Sequence, residues 1–295
     1  MKAVALTIAG SDPSGGAGIQ ADLKTFHQFG VYGQAVIALL TVQNTREVSR
    51  VETVPADFVL EELEAVITDV PPAAAKTGAL GSAEIVEGIA NAARAFDFPL
   101  VVDPVMVSKH GAPLITRKAG DALKRKLLPR AALLTPNIPE AELLTGMHIE
   151  DEDDIRFAGE RLLTFGCKAV LIKGGHSLGE PIDYLFDGSS ITVFSGARVE
   201  SVHTHGTGCT YSAAITACLA LGHELKQAVA IAKQFIQRAI ETAPQLGSGN
   251  GPINHFAEIS KRPRVGDRSV RRSSRRATHG SVAALQGAGN PESPA

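Results

Sequence analysis

The chain has 295 residues and a formal net charge of −2, with 44% hydrophobic and 20% charged residues. This composition is that of a soluble globular protein with a sizeable core. No apolar run approaches the ~18 residues of a membrane span, and the N-terminus lacks the pattern of a signal peptide. The three cysteines are an odd number with no Cys-x-x-Cys or Cys/His zinc spacing, which favours free thiols in a reducing compartment. We therefore expect a cytoplasmic protein with no membrane partner.

The charge is unevenly distributed along the chain. Residues 261–295 contain eight Lys and Arg against two acidic side chains, and they are rich in Ser, Gly and Pro. That composition is typical of a disordered extension. We predict one domain over residues 1–258 and a basic, disordered tail over 259–295. The Arg cluster at 271–276 could tether nucleic acid or phospholipid, but it has no interleaved aromatic residues. A solvated, dispensable tail is therefore the favoured interpretation, and no nucleic-acid partner is expected.

Apolar strand patterns alternate with amphipathic helical patterns along the chain. Strands are predicted over 3–9, 35–42, 73–76, 100–103, 131–135 and 169–173. Helices are predicted over 18–29, 56–70, 83–95, 114–128, 138–145, 151–165, 209–221 and 225–243. The segment "IDYLFDGSSITVFSG" predicts a hairpin around Asp187-Gly188 at the edge of the sheet. The pattern indicates a three-layer α/β/α fold with a mostly parallel central sheet, helices on both faces and an antiparallel edge hairpin.

Polar loops follow the predicted strands. In parallel sheets, ligands bind outside the carboxyl ends of the strands, so we expect these loops to line one site. The loops are Gly10-Ser11-Asp12, Gln43-Asn44-Thr45, Thr77-Gly78, Asp103-Pro104-Val105-Met106, Pro136-Asn137 and Lys173-Gly174-Gly175-His176.

The first glycine-rich stretch, "AGSDPSGGAGIQADLKTF" at 9–26, resembles a nucleotide loop. From Gly16 it reads as the relaxed dinucleotide fingerprint G-x-G-x-x-A. A dinucleotide enzyme also needs an acidic residue after the second strand to bind the ribose, and this chain has Gln43-Asn44-Thr45 there. A Walker A loop is excluded because no G-K-[ST] follows. Binding of a nicotinamide dinucleotide is therefore a remote alternative. A plain strand-to-helix connection that binds no ligand is a second one.

The second glycine cluster, "HTHGTGCTYSAAITACLALG" at 203–222, opens a predicted helix. Amides at a helix N-terminus converge on anions, so Gly206, Thr207, Gly208 and Cys209 predict an anion hole for a phosphoryl group in transfer. The helix dipole lowers the pKa of a thiol, so we expect Cys209 to act as the base for a substrate alcohol. A plain N-cap and a buried cysteine are the alternatives. For Cys167 and Cys218 we expect simple packing.

A third segment, "LLTPNIPEAELLTG", places Asn137 and Glu140 on one face at the start of a helix. An amide and a carboxylate can hold the water shell of Mg²⁺, and Asp103 would supply a second carboxylate. The same two residues also fit a capping box, and both roles are compatible.

Together these segments resemble the hydroxymethylpyrimidine/phosphomethylpyrimidine kinases of thiamine biosynthesis, in the ribokinase-like superfamily. The resemblance runs from Val4 to about Phe256 through "AGSDPSGGAGIQADLKTF", "VQNT", "KTG", "VVDPVMVSKHG", "LLTPNIPEAELL", "KGGH", "HGTGCTYSAAI" and "GPINHF". It implies the ribokinase-like fold, ATP as phosphoryl donor, Mg²⁺, a homodimer, and phosphorylation of a small aminopyrimidine alcohol and then of its phosphate.

The resemblance also implies roles for individual residues. The glycine-rich first loop lines the acceptor pocket, and Gln43 pairs with the aminopyrimidine edge, which an amide can do by donating and accepting at once. Gly10, Asp22 and Val105 fall near the acceptor. Lys173, Gly175 and His176 fall beside the ATP phosphates, and Lys109 and His110 lie on a flap. The anion hole maps to Gly206–Cys209, with Cys209 as the base.

One position departs from the family pattern. Where the family often has methionine after "K-x-G", this chain has Ala79. The smaller side chain gives up apolar contact with a pyrimidine and leaves room for a larger ring. A pyridoxal kinase, or a kinase with both activities, is therefore the alternative.

Overall fold

A computed structural model of the chain describes residues 3–108, 111, 113–175 and 180–259. Its strands are β1 (Val4–Ser11), β2 (Tyr32–Gln43), β3 (Val48–Thr53), β4 (Ala74–Thr77), β5 (Leu100–Val102), β6 (Leu133–Leu134), β7 (Val170–Ile172), β8 (Asp183–Phe186) and β9 (Ile191–Phe194). Its helices are α1 (Gly18–Gln28), α2 (Ala56–Asp69), α3 (Ala83–Ala92), α4 (Arg117–Ala122), α5 (Ile138–Thr145), α6 (Glu152–Leu163), α7 (Thr207–Ala220) and α8 (Leu225–Glu241).

In the described part of the chain, nine strands form one sheet in the order β3-β2-β1-β4-β5-β6-β7-β8-β9. The strands from β2 to β7 in that order are parallel. Strand β3 at one edge and the β8–β9 hairpin at the other are antiparallel. The predicted fold class and edge hairpin are therefore confirmed.

Alternation along the strands separates two cores, one on each face of the sheet. In β1, Leu6 and Ile8 face the core that α2, α3 and α6 cover, whereas Ala5 faces the core formed with α1, α7 and α8. Each fully buried Leu or Ile contributes about 1.5–3 kcal/mol of transfer free energy. Burial on both faces leaves the carboxyl edge of the sheet as the place where polar loops can gather.

Two elements differ from the sequence prediction. Strand β3 was not predicted, because its exposed Arg50 and Glu52 form a surface ion pair and mask the weak apolar alternation. The helix predicted over 114–128 begins only at Arg117 and gives way to a π-helical turn at Leu123–Leu127 and a 3₁₀ turn at Leu128–Arg130. The widened turn still buries Leu123 and Leu127.

Several predictions concern residues outside the described ranges. They are Lys109 and His110 of the predicted flap, His176, which was predicted to lie beside the ATP phosphates, and residues 260–295 of the predicted tail. The domain boundary at 258 therefore stays a prediction. Within the described ranges, no helix combines the length and apolarity that crossing a bilayer requires.

Candidate active site

A cavity of about 810 Å³ lies at the carboxyl edge of the parallel strands. The carboxyl end of β2 and the loops after β1, β4, β5, β6 and β7 line it, together with the first turn of α7, as expected for such sheets. Most of the predicted site residues are brought together here. Those that line the cavity are Gly10, Gln43, Asp103, Val105, Asn137, Glu140, Lys173, Gly175, Gly206, Thr207, Gly208 and Cys209.

Asp22 is the exception among the described site residues. Its carboxylate accepts hydrogen bonds from Thr7 Oγ1 at 2.6 Å and Lys76 Nζ at 2.7 Å, and its side chain, on the buried face of α1, is completely buried. It does not line the cavity. The expectation that Asp22 contacts the acceptor is corrected, because its charge is used to neutralise a buried lysine.

That lysine, Lys76, is a residue that the sequence reasoning missed. It lies in β4, where every side chain is buried, and its Nζ approaches the carbonyl oxygen of Cys209 at 3.5 Å. Burial alone would lower the pKa of Lys76, but the Asp22 carboxylate, together with Cys209 and Asp103, outweighs burial and raises it. A charged residue inside the apolar run "AAAKTG" was the available signal, because a buried lysine requires a partner.

Asp12 organises the glycine-rich first loop. Its Oδ2 accepts from the amides of Gly16 at 3.2 Å and Ala17 at 2.8 Å, and its Oδ1 accepts from Ser14 N at 2.9 Å. Burial would raise the pKa of Asp12, but hydrogen bonds from His205, Ser14 and Gln43 hold it well below its usual range. The amides that a dinucleotide phosphate would need are thus occupied by a side chain, which explains why the fingerprint does not mark a phosphate site.

The first turn of α7 is held very close to that loop. Gly206, the N-cap residue, has φ +78°, and a Cβ there would collide with the Gly16 carbonyl. A Cβ on Gly208 would lie 3.4 Å from Lys173 Nζ, so this turn borders the lysine ammonium. Thr207 differs from the expectation, because its amide and its hydroxyl both donate to the Thr204 carbonyl. The amides that remain for the predicted anion hole are therefore those of the two glycines and Cys209.

Cys209 is partly exposed to the cavity, yet its thiol is not acidic. Burial raises the pKa of Cys209 to about 12, although Lys76 and the Gly18 amide both favour the thiolate. The expected lowering by the helix dipole is thus overturned, because protein surrounds the sulfur and Asp22 and Asp103 add negative charge nearby. Cys167 and Cys218 are buried, as expected, and all three cysteines are free.

Asp103 and Lys173 form a second buried ion pair, with Lys173 Nζ 3.1 Å from Asp103 Oδ1. Thr135 Oγ1 and Ser212 Oγ also donate to the Asp103 carboxylate. Burial would raise the pKa of Asp103, but Lys173 and Lys76 hold it below its usual value. Ser212 also donates to the Cys209 carbonyl, so hydrogen bonds join this pair to the first turn of α7.

Asn137 and Glu140 form the capping box that the sequence allowed. Asn137 Oδ1 accepts from Glu140 N and Glu140 Oε2 accepts from Asn137 N, both at 2.8 Å. Burial and the nearby Asp103 carboxylate raise the pKa of Glu140 to about 7, with Lys173 opposing them. Among the described residues, no three His, Cys, Asp or Glu side chains are close enough to ligate a metal directly. The oxygen donors fit a hydrated ion better than a fully protein-bound one.

A third charged group, which the sequence reasoning also missed, borders the cavity on the β8 side. Asp183 accepts from Gly174 N at 3.0 Å, Tyr211 Oη at 2.9 Å and Lys233 Nζ at 2.7 Å. It therefore holds the loop after β7, which carries Gly175, against α7 and α8. Nothing in the sequence spacing of these residues signals the contact.

Comparison with known proteins decides the assignment. The sequence model of the phosphomethylpyrimidine kinase family matches residues 12–254. The chain belongs to the phosphomethylpyrimidine kinase family. The matched range includes all the predicted site residues except Gly10, and the predicted kinase family is confirmed.

Two curated relatives agree with this family. The hydroxymethylpyrimidine/phosphomethylpyrimidine kinase of Staphylococcus aureus is 45% identical over 262 residues, which cover 88% of this chain and 95% of that protein. The thiamine biosynthesis bifunctional protein ThiED of Geobacter sulfurreducens is 52% identical over 255 residues, covering 85% of this chain. The match covers 52% of that bifunctional protein, so the chain spans about half its length.

Solved structures show the same fold. The phosphomethylpyrimidine kinase of Clostridium difficile has 45% identity and a TM-score of 0.73, with coverage of 81% of this chain and 100% of that chain. The pyridoxal kinase of Staphylococcus aureus, solved with AMP-PCP and pyridoxal, has 34% identity and a TM-score of 0.80, covering 87% and 95%. The chain is thus a phosphotransferase of ribokinase-like fold, which implies ATP as its phosphoryl donor.

Proposed function

We propose that this chain transfers the γ-phosphoryl group of ATP to 4-amino-5-hydroxymethyl-2-methylpyrimidine, and then to the resulting monophosphate to give the diphosphate. The arrangement of side chains along the sheet edge carries this proposal. Gly10 and Gln43 lie at the carboxyl ends of the neighbouring strands β1 and β2, and Ala79 follows β4 on the other side of β1. Asn137 and Lys173 follow β6 and β7 farther along the same edge. One cavity therefore has an acceptor side and a phosphate side.

Cys209 belongs between the two sides. The Cys209 carbonyl accepts from Lys76 of β4 and from Ser212, which itself binds Asp103 after β5. The first turn of α7 is thereby fixed over the centre of the sheet edge. An acceptor alcohol that contacts Gln43 at its ring would then present its hydroxyl to this turn.

The acceptor side suits a flat polar ring. A Cβ on Gly10 would clash with Leu39, so the backbone itself forms the wall there. Gln43 supplies an amide that can donate to a ring nitrogen and accept from an exocyclic amine. A pyridoxal ring has no such edge, so this residue favours the aminopyrimidine.

The phosphate side suits transfer of a charged group. The Lys173 ammonium and the first-turn amides of α7 lie together, and preorganised donors of this kind stabilise charge that moves during phosphoryl transfer. Leu143 of α5 and Ile236 and Ile240 of α8 line the same cavity and offer apolar surface to an adenine ring. These contacts support ATP as the donor.

Asp103, Asn137 and Glu140 are the residues that would hold a hydrated Mg²⁺. Their oxygens are the hard ligands that this ion accepts, and Glu140 lies buried beside the Asp103 carboxylate, which together with burial raises its pKa. Bound Mg²⁺ supplies charge neutralisation of the phosphate oxygens. Lys173 shares that work, since its ammonium already neutralises Asp103.

Cys209 would receive the proton of the acceptor hydroxyl. With its pKa near 12 in the free protein, the thiol is protonated at neutral pH. A protonated thiol cannot accept a proton, so the base would be the thiolate that forms when Cys209 first releases its own proton to solvent, a form that Lys76 and the Gly18 amide favour. The thiolate would then take the hydroxyl proton late, after the hydroxyl oxygen has begun to bond to phosphorus, because a loose transition state needs little help from a base.

Phosphorus NMR of the protein with Mg-ATP and the hydroxymethylpyrimidine tests this function. We expect a monophosphate signal that gives way to a diphosphate. A parallel sample with pyridoxal tests the second candidate, which Ala79 favours because it lines the cavity with a small side chain. Product in the pyridoxal sample alone would overturn the pyrimidine assignment while leaving the kinase assignment intact.

We also infer a cytoplasmic homodimer that binds no nucleic acid. The free cysteines support a reducing compartment. The exposed apolar side chains Tyr32, Leu40 and Val42 on β2, next to edge strand β3, support self-association. Light scattering after size-exclusion chromatography measures the mass directly, and a monomer at micromolar concentration would contradict the dimer.

A further inference from the structure

The closing motif "GPINHF", residues 251–256, takes no part in the chemistry proposed above, yet it packs against the active-site loops. The Gly251 carbonyl accepts from His205 N at 3.0 Å, and Pro252 forms a parallel bridge with His205. Gly16 lies against both, because a Cβ on Gly16 would be 2.5 Å from the His205 ring and 3.2 Å from Pro252 Cβ. The motif therefore supports His205 where it meets the glycine-rich loop.

Asp12 and His205 are the contact at the centre of this packing. His205 Nε2 donates to Asp12 Oδ2 at 2.8 Å, and both residues are almost completely buried. The same Oδ2 accepts from the amides of Gly16 and Ala17. One carboxylate oxygen thus joins the acceptor loop to the residue immediately before Gly206.

The far side of the α7 turn is held as well. His255 Nε2 hydrogen-bonds to Thr210 Oγ1 at 3.2 Å in the first turn of α7, and Ile253 is buried in the core beneath it. Gly249 N donates to Thr45 Oγ1 at 3.3 Å, two residues beyond Gln43. The closing motif and the residues just before it therefore contact the loop after Gln43, the glycine-rich loop and the start of α7.

We propose that Asp12 and His205 form a positioning pair that couples the acceptor loop to the phosphate-binding turn of α7. The inference rests on the proposed kinase function, and it assigns the pair no contact with substrate. The pair fixes the distance between the loop that receives the alcohol and the amides that receive the phosphoryl group. Misplacing reacting groups by about 1 Å can cost about 100-fold in rate.

Two substitutions of His205 separate this role from a general loss of structure. His205→Gln keeps an N–H donor at a similar reach, whereas His205→Leu keeps the bulk and removes the donor. His27→Leu, on the exposed last turn of α1, controls for the loss of an imidazole. If the Leu variant does not fold, His205→Asn replaces it, because its shorter amide cannot reach Asp12 in the same way.

The kinetic readout compares coupling with nucleotide binding. We expect His205→Leu to lower kcat/KM for the hydroxymethylpyrimidine by about 10- to 100-fold. We also expect a lower ratio of acceptor phosphorylated to ATP consumed, and an AMP-PCP Kd within about twofold of the parent by calorimetry. His205→Gln should recover most of the loss, and His27→Leu should match the parent. An equal fall in kcat/KM in His205→Leu and His205→Gln would overturn the proposal. So would an AMP-PCP Kd that rises in proportion to the loss of rate.

Hydrogen exchange tests the coupling without any activity. We expect His205→Leu to speed amide exchange in residues 12–18 and in 206–212 together, and His205→Gln to leave both near the parent. Faster exchange confined to 206–212 would refute the coupling even in an active kinase. The parent protein could phosphorylate neither alcohol while His205→Leu still speeds exchange in both segments. In that case the proposed function fails and the positioning pair stands.

Discussion

Lys76 and Asp22 form an ion pair with no solvent exposure at either side chain, with Nζ 2.7 Å from Oδ1. Their pairing links β4 to α1 beneath the cavity. Because neither charge can reach water, each depends on the other, and removing one leaves an uncompensated charge in the core.

We expect Lys76→Met or Asp22→Asn alone to lower the free energy of unfolding by about 3–5 kcal/mol. The double variant Lys76→Met/Asp22→Asn should lose much less than the sum, because it buries no unpaired charge. Urea denaturation of the parent, both single variants and the double variant measures the coupling. Additive losses would show that the two charges do not stabilise each other. Arg50→Met, which breaks the exposed pair with Glu52, is the control and should cost about 1 kcal/mol or less.

The Cys209 thiol should behave as a weak acid in the free protein. With a pKa of about 12, its alkylation by iodoacetamide should rise about tenfold per pH unit from pH 7 to 10 without a plateau. Cys167 and Cys218 are buried, so mass spectrometry should place the label on Cys209. A plateau near pH 7 would contradict the raised pKa.

The same thiol should matter for turnover. We expect Cys209→Ala to lower kcat by about 100-fold, at the low end for general-base catalysis because loose transition states need little help from a base. Cys218→Ala, deeper in the same helix, is the matched control and should keep turnover near the parent. Full turnover by Cys209→Ala with the natural alcohol would remove the base assignment.

The two glycines at the start of α7 should respond differently to a methyl group. Gly206→Ala places a Cβ against the Gly16 carbonyl at a positive φ, so we expect loss of stability large enough to lower the melting temperature by several degrees. Gly208→Ala meets Lys173 Nζ at 3.4 Å, an ordinary contact, so the fold should persist while kcat falls. Calorimetry and steady-state kinetics on both variants separate the two effects. The reverse pattern would contradict the geometry.

Asp12 should contribute stability that depends on pH. Its pKa in the folded protein lies below the usual 3.8, so folding favours the ionised form. The contribution is therefore present above about pH 4 and is lost as the pH falls through the lowered pKa. We expect Asp12→Asn to cost about 2–4 kcal/mol at pH 7, with the difference from the parent narrowing toward pH 3 in urea titrations. A difference that stays constant with pH would contradict this linkage.

Ala79 should set how large a ring the acceptor side admits. We expect Ala79→Met to lower kcat/KM for pyridoxal about tenfold or more through crowding, and to maintain or raise that for the hydroxymethylpyrimidine through added apolar contact. Gln43→Leu should act in the opposite sense, lowering kcat/KM for the hydroxymethylpyrimidine and leaving that for pyridoxal unchanged. Competition between the two alcohols in one reaction, followed by phosphorus NMR, measures the ratio. An unchanged ratio in Ala79→Met would remove this position from substrate choice.

Patterns of residue type predicted the architecture well, and individual contacts much less well. The strand-end loops could be predicted to meet, because parallel topology sends every carboxyl end to one edge. The raised pKa of Cys209 could not be predicted. The sequence indicates the helix dipole, but it does not show the burial of the thiol or the nearby carboxylates of Asp22 and Asp103. Asp22 was misassigned for the same reason: its partner Lys76 lies on another strand, and only the fold brings them within 2.7 Å.

The anion that binds the amides of the glycine-rich loop is the carboxylate of Asp12, a residue of the loop itself. Because Asp12 satisfies the amides of Gly16 and Ala17, the loop has its final conformation before any substrate arrives. The conformational entropy of ordering those glycines is lost once, when the chain folds, and is not subtracted from the binding free energy of each acceptor molecule. In the proposed acceptor pocket the loop would thus be a rigid template, on which a small alcohol with few contacts could be held without an accompanying disorder-to-order transition.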